Sequence, residues 1–289
     1  MKRILALLGL IAILLCSCTA AQPPADIAAP TLPVYEFTLR LCEGTGLTVT
    51  RLVTESVSCL HDYSLNVGQV RAAEAAQCIV ISGAGLEDFM AEVLDGKNVL
   101  DASQGIELLE SCHDHEHGHV DHHHDADAHI WLSPANARIM AANICAGLAA
   151  QYPAHRAVFE ENLAKLHQDI DELHAYGQAG LETLSTRELV TFHDGFGYLA
   201  AAYGLNIVKA IEEEAGAEAS AAELKEIIGI LRDHNMKALF TEINGSGSAA
   251  GIIAAETGAA IYTLDMAMAG ESWFEAMYHN IDTLKEALK

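Results

Sequence analysis

The 289-residue chain is 51% hydrophobic and carries 40 acidic against 16 basic residues, a formal charge of −24. So acidic a chain repels nucleic acid and draws cations, which excludes nucleic-acid binding as its work. Its length exceeds the roughly 100–200 residues of one ordinary domain, so two lobes are expected.

At the amino terminus Lys2 and Arg3 precede an apolar run from Ile4 to Leu15, the charged and hydrophobic regions of an export signal. That run is too short for a comfortable membrane span. Leu15-Cys16-Ser17-Cys18 then resembles the bacterial lipobox. The resemblance implies a signal peptide over 1–17, lipidation of Cys18, and an extracytoplasmic protein held to a membrane by that lipid. The stretch 19–33 is rich in Ala and Pro without apolar periodicity, so 18–31 reads as a flexible tether and folding is expected to begin near Leu32. Beyond Cys18 lie Cys42, Cys59, Cys78, Cys112 and Cys145, an odd set that cannot all pair internally. An oxidising compartment allows one disulfide among them, and the sequence does not name it.

The folded part reads as α/β, with strands alternating with helices in two batches as in parallel-sheet proteins. An N-terminal lobe over 32–152 is expected to hold strands at 34–38, 48–53, 78–82 and 99–100. A helix over 66–76 opens on the Asn66/Gln69 cap pair, and another follows Ser133-Pro134 to about Gln151. From 153 to 184 no strand pattern occurs, while Phe159, Leu163, Leu166, Ile170 and Leu173 recur at helical spacing, so one long helix is expected to connect the lobes. A C-terminal lobe over 185–289 would then hold strands at 188–192, 207–210, 238–241 and 260–264. Its helices are a capped one over 221–234 and a last one from Ser272 with Phe274, Met277, Ile281, Leu284 and Leu288 on one face. The expectation is two Rossmann-like lobes, each with a mostly parallel four-stranded sheet, joined by one helix.

His61, His129, His193 and Asp265 all fall where this pattern ends a strand or begins a loop. Ligands of open parallel sheets bind at the carboxyl ends of strands, so the four can meet in one crevice between the lobes. Three imidazoles and a carboxylate suit the tetrahedral shell of Zn2+. Taken singly, each is better read as a hydrogen-bonded loop or core residue; the shared position raises the metal reading.

The segments around these residues resemble the zinc-type, ZnuA-like family of metal-binding solute-binding proteins of ABC transporters. They are Leu60-His61-Asp62-Tyr63, Gly83-Ala84-Gly85-Leu86-Glu87, Asp127-Ala128-His129-Ile130-Trp131-Leu132-Ser133-Pro134, Thr191-Phe192-His193-Asp194-Gly195-Phe196-Gly197-Tyr198 and Thr263-Leu264-Asp265. The resemblance implies His61, His129 and His193 as imidazole ligands and Asp265 as the carboxylate. It also implies a non-enzymatic monomer whose partner is the transmembrane subunit of an ABC permease. The family pattern is departed from at Ser64-Leu65 and Ser133. Glu242 resembles a position near the site and reads either as an acceptor for a histidine N–H or as half of a structural salt bridge.

A second feature is the run His113, His115, His117, His119, His122, His123 and His124, interleaved with acids over 113–125. Its polarity implies a loop, and its composition many weak metal sites, with a solvated or pH-responsive spacer as the plainer alternative. The competing functions are a manganese or mixed-metal receptor, a surface adhesin or zinc buffer, and a zinc hydrolase. The last is poorly supported because no His-Glu-x-x-His motif is present.

Overall fold

The computed structural model describes residues 25–55, 57, 60, 63–110, 126–212, 220–243 and 247–289. Cys18, His61 and the histidine run 113–125 lie outside the described residues, as do Cys59 and Cys112.

The first lobe is built on β1 (Ile27–Ala29), β2 (Val49–Arg51), β3 (Cys78–Ile81) and β4 (Val99–Asp101). Every pairing is parallel and the strand order is β2-β1-β3-β4. Two expectations are corrected here. Residues 27–29, read as tether, form a central strand buried on both faces. Residues 34–38, read as a strand, lie inside helix α1 (Leu32–Leu41). Pro33 sits in the first turn of α1, where its missing N–H costs nothing, and Val34, Phe37, Thr38 and Leu41 fall on one buried helical stripe. Tertiary burial of that stripe overrides the strand preference of a Val-Tyr-Glu-Phe-Thr segment. Helix α2 (Val67–Ala75) follows β2 and begins with a reciprocal Asn66/Gln69 capping box, and α3 (Pro134–Gln151) is capped by Ser133.

Helix α4 (Arg156–Gly180) is the connector. It starts after a short 3₁₀ turn at Pro153–His155 and ends before 184, so it is shorter than expected at both ends. Its 25 residues span roughly 38 Å. Phe159, Leu166, Ile170 and Leu173 enter a core that also takes in buried residues of both lobes. Polar ties fix it to each lobe. Asn162 donates to the carbonyls of Leu41 and Glu43 at the end of α1, Asp169 pairs with Arg40, and Tyr176 donates to Asp282.

The second lobe repeats the wiring of the first. Strands β5 (Glu188–His193), β6 (Asn206–Glu212), β7 (Ala238–Glu242) and β8 (Ala260–Leu264) form a parallel sheet of order β6-β5-β7-β8. Helices α5 (Gly197–Tyr203), α6 (Ala221–Asp233), α7 (Gly247–Thr257) and α8 (Trp273–Ala287) complete it. In each sheet the chain leaves a central strand to one side and returns to the other, which opens a crevice at the carboxyl ends of β1/β3 and of β5/β7. The lobes are stitched together near α8: Glu36 accepts from the Ser272 hydroxyl and the Trp273 N–H, and Arg51 donates to Gly270 O. No described helix is long and apolar enough to cross a membrane.

Cys42, Cys78 and Cys145 are free and buried, with burial pushing the Cys42 thiol up to about 12 and that of Cys78 up to about 11. Such thiols are inert, and none of the three forms the disulfide that the sequence allows.

Glu87, in the turn after β3, is buried and accepts from the Ser82 and Gly83 N–H groups. Burial outweighs those bonds and pushes its carboxyl up from 4.5 to about 8. Between these values the folded chain holds a proton that the unfolded chain has lost, so the contribution of Glu87 to stability falls as pH rises through this window. Urea denaturation of Glu87→Gln across the same pH range is expected to show a flatter decline than the unmodified protein; parallel curves would contradict this.

Candidate metal site

His193 is the last residue of β5 and Glu242 the last of β7, so the two central strands of the second sheet deliver both side chains to the switch-point crevice. They are 2% and 5% exposed, and His193 Nδ1 lies 3.6 Å from Glu242 Oε1. His129 comes from the first lobe. It precedes a short 3₁₀ turn at Ile130–Leu132 and is likewise buried. Asp127 Oδ1 accepts from the His129 main-chain N–H at 2.9 Å and faces its Nδ1 at 2.8 Å. Tyr198, from α5, holds that segment across the lobe boundary by donating to Asp127 O and accepting from Leu109 N–H.

Each imidazole thus has a carboxylate on its Nδ1 side; for His129 the 2.8 Å contact with Asp127 favours the proton there and leaves Nε2 with its lone pair, while Glu242 stands 3.6 Å from His193 Nδ1. The two Nε2 atoms face each other at 3.3 Å across the lobe boundary. At that separation the contact is either a hydrogen bond, with one ring carrying its proton on Nε2, or two lone pairs with a cation between them. A tetrahedron with bonds of about 2.0–2.1 Å has edges of roughly 3.3–3.4 Å, so the spacing fits two ligands of a tetrahedral metal.

Asp265 follows β8 and lines one pocket with Val57, Glu242, Ile243, Met266, Met268 and Ala269. Burial raises its carboxyl above the usual range, while the Ala267 N–H and His279 pull it back. Met266, next in the chain, packs beside the His193 imidazole: a Cβ added at Gly195 would lie 2.9 Å from His193 Nε2 and 2.7 Å from Met266 Cε. The described residues alone gather no group of three or more His, Cys, Asp or Glu side chains able to hold a metal, and His61 lies outside them. What the fold brings together is His129, His193 and their carboxylates, with Asp265 and Glu242 on a shared pocket wall.

Several residues that shape this region have no role assigned by the sequence, although Trp131 and Gly195 fall within the segments quoted above. Gly195 leaves room for the His193 ring. Trp131 donates its indole N–H to Met266 O at 2.7 Å, and Trp273 donates to Trp131 O at 3.1 Å, a reciprocal clasp between the lobes. Asn280 is the one with a readable trace, a polar residue on the apolar stripe of α8 between Met277 and Ile281.

The model of the zinc-uptake complex component A, periplasmic, matches residues 27–287. The zinc-binding lipoprotein AdcA of Streptococcus pneumoniae is 30% identical over an alignment of 307 residues covering 99% of this chain. The chain spans 61% of the length of that relative. The high-affinity zinc uptake system protein ZnuA of Bacillus subtilis is 31% identical over 277 residues, covering 89% of this chain and 85% of its own. A crystal structure of a ZnuA superposes with a TM-score of 0.79 at 29% identity, covering 92% of this chain and all of the other. With matching strand order in both lobes, paired imidazoles between them and a family match from β1 to the end of α8, the chain belongs to the ZnuA family of periplasmic zinc-uptake components.

Proposed function

We propose that this protein is an extracytoplasmic receptor that binds zinc between its lobes and delivers it to the permease of an ABC transporter. The observation that carries this reading is the 3.3 Å approach of His129 and His193 Nε2 atoms from opposite lobes, each imidazole backed by a carboxylate. The ligands are His61, His129, His193 and Asp265, with Glu242 accepting from His193 Nδ1–H. The run His113, His115, His117, His119, His122, His123 and His124 gathers further zinc weakly, and Cys18 carries the lipid that holds the protein at the membrane. The relatives' names support zinc as the cargo and uptake as the task. A receptor is favoured over a hydrolase because Asp127, the acid nearest His129, is committed to orienting that ring and not to activating water.

The nitrogen-rich set favours zinc over manganese, whose sites are richer in oxygen. Chelator competition on protein lacking residues 111–125 tests this directly. One tight zinc is expected, held in preference to manganese, and His193→Glu should narrow the preference by roughly tenfold without reversing it. A preference for manganese in the unmodified site, or an unchanged ratio in His193→Glu, would overturn the assignment.

A further inference from the structure

The turn that carries Asp265 is held by more contacts than a surface loop needs. Asn280, 0% exposed on α8, takes both main-chain polar groups of Asp265: its Oδ1 accepts from Asp265 N–H at 2.7 Å and its Nδ2 donates to Asp265 O at 2.7 Å. One planar amide thereby fixes the peptide units on either side of the residue. The Asp265 side chain is also half committed, since Oδ1 accepts from Ala267 N–H at 2.8 Å. Ala267 is buried in the left-handed region at φ 55°, a conformation that a residue with a Cβ keeps only when its surroundings impose it. The Trp131 indole on Met266 O ties the same turn to the segment that bears His129. The main chain is pinned and Oδ1 accepts from Ala267, which leaves Oδ2 as the less encumbered oxygen.

Coordination number follows from this. A carboxylate that can offer both oxygens raises the count toward the five or six donors that manganese takes, whereas one restricted to a single oxygen suits four-coordinate zinc. We infer that Asn280 is a positioning residue that, with the Ala267 N–H, presents Asp265 to the metal as a one-oxygen ligand and thereby biases the site toward tetrahedral zinc. The inference rests on Asp265 being a ligand.

Three variants of the full chain, loaded with a single equivalent of metal, test it. Zinc and manganese affinities come from chelator competition, and coordination number from the visible spectrum of the cobalt(II) form, which is intense when tetrahedral and weak when five- or six-coordinate. Asn280→Ala removes both bonds. It should weaken zinc by roughly tenfold or more, weaken manganese less, and pale the cobalt spectrum. Asn280→Asp keeps the acceptor for Asp265 N–H and loses the donor, so it should shift the same way to a smaller extent; it decides the matter if Asn280→Ala does not fold. Asp265→Asn keeps the bond to Ala267 but replaces the free oxygen with a non-ligating NH2. If it leaves zinc affinity and the cobalt spectrum intact, Asp265 is not a ligand and the inference falls with that reading. If Asp265→Asn loses zinc while the Asn280 variants lower only the melting temperature, with the zinc/manganese ratio and cobalt spectrum unchanged, Asn280 is structural and the inference alone fails.

Discussion

Gly195→Ala is expected to weaken zinc binding by roughly 10–100-fold while leaving the fold intact. The added Cβ would stand 2.6 Å from His193 Cδ2, 2.9 Å from its Nε2 and 2.7 Å from Met266 Cε. The methionine methyl can swing aside. The imidazole cannot, because it is 2% exposed, ends a strand paired on both sides, and lies between His129 and Glu242. Relief therefore comes from turning the ring, which moves the nitrogen proposed to hold the metal. Gly195 is not among the glycines with positive φ, so the substitution adds steric pressure without backbone strain. Overpacking of this kind costs on the order of 1–3 kcal/mol, well short of unfolding a protein of this size. Gly229→Ala is the control, since a Cβ there meets nothing within 4 Å. Chelator competition with circular dichroism checks both; zinc affinity in Gly195→Ala equal to that of the control would show that the ring has room to spare.

Gly195 also marks where sequence reading stops. The requirement at this position is purely spatial, set by a ring two residues back and a methionine 71 positions on, and no turn type or periodicity announces it. Where a local rule does act, the sequence is explicit. The Asn66/Gln69 and Ser220/Glu223 boxes and the Ser133 cap all mark real helix starts. The buried side of α4 follows the spacing of Phe159, Leu166, Ile170 and Leu173. The failures are equally physical. Strand β1 has only three residues, Ile27–Ala29, in an Ala- and Pro-rich stretch; its place at the sheet centre comes from flanking β2 and β3 and not from its own propensity. Residues 34–38 satisfy strand composition and helical spacing at once, and only burial of Phe37 and Leu41 against the core decides between them.

Candidate residues can be picked from the sequence one at a time, but the geometry that gathers His129, His193 and Glu242 cannot. His193 and Glu242 meet because β5 pairs with β7 while the intervening β6 lies on the outer side, an arrangement that strand spacing alone does not reveal. The Asp127–His129 pair is local, two residues apart, and its function as an orienting bond follows from the structure once Asp127 is seen on Nδ1. Asn280 is legible only as an anomaly, a polar side chain in an apolar stripe, whose partner fifteen residues away shows what the anomaly is for.

Trp131→Phe is expected to lower the stability of the metal-free protein by about 2–4 kcal/mol and to weaken zinc as well. Trp131 is fully buried two residues after His129, its ring tilted against that imidazole with centroids 5.3 Å apart. Phenylalanine leaves a gap where the second indole ring was and takes away the N–H that serves Met266 O. Trp273 would keep its bond to the residue 131 carbonyl and its edge-to-face contact with Phe37, centroids 5.1 Å apart, so the clasp is cut on one side only and folding should survive. The consequence for the metal follows from position: Trp131 adjoins His129 and Met266 adjoins Asp265, so slackening this bond loosens the offset between groups supplied by the two lobes. A ligand that binds only the folded state stabilises it in proportion to the logarithm of its affinity. A tenfold weaker site therefore shrinks the zinc-induced gain in unfolding free energy by about 1.4 kcal/mol at fixed free zinc. Urea denaturation with and without buffered zinc separates the two effects. Should apo stability fall while the zinc-induced gain stays whole, the clasp holds the lobes without positioning the metal groups; should apo stability stay put, the indole N–H and its second ring contribute nothing to the interface.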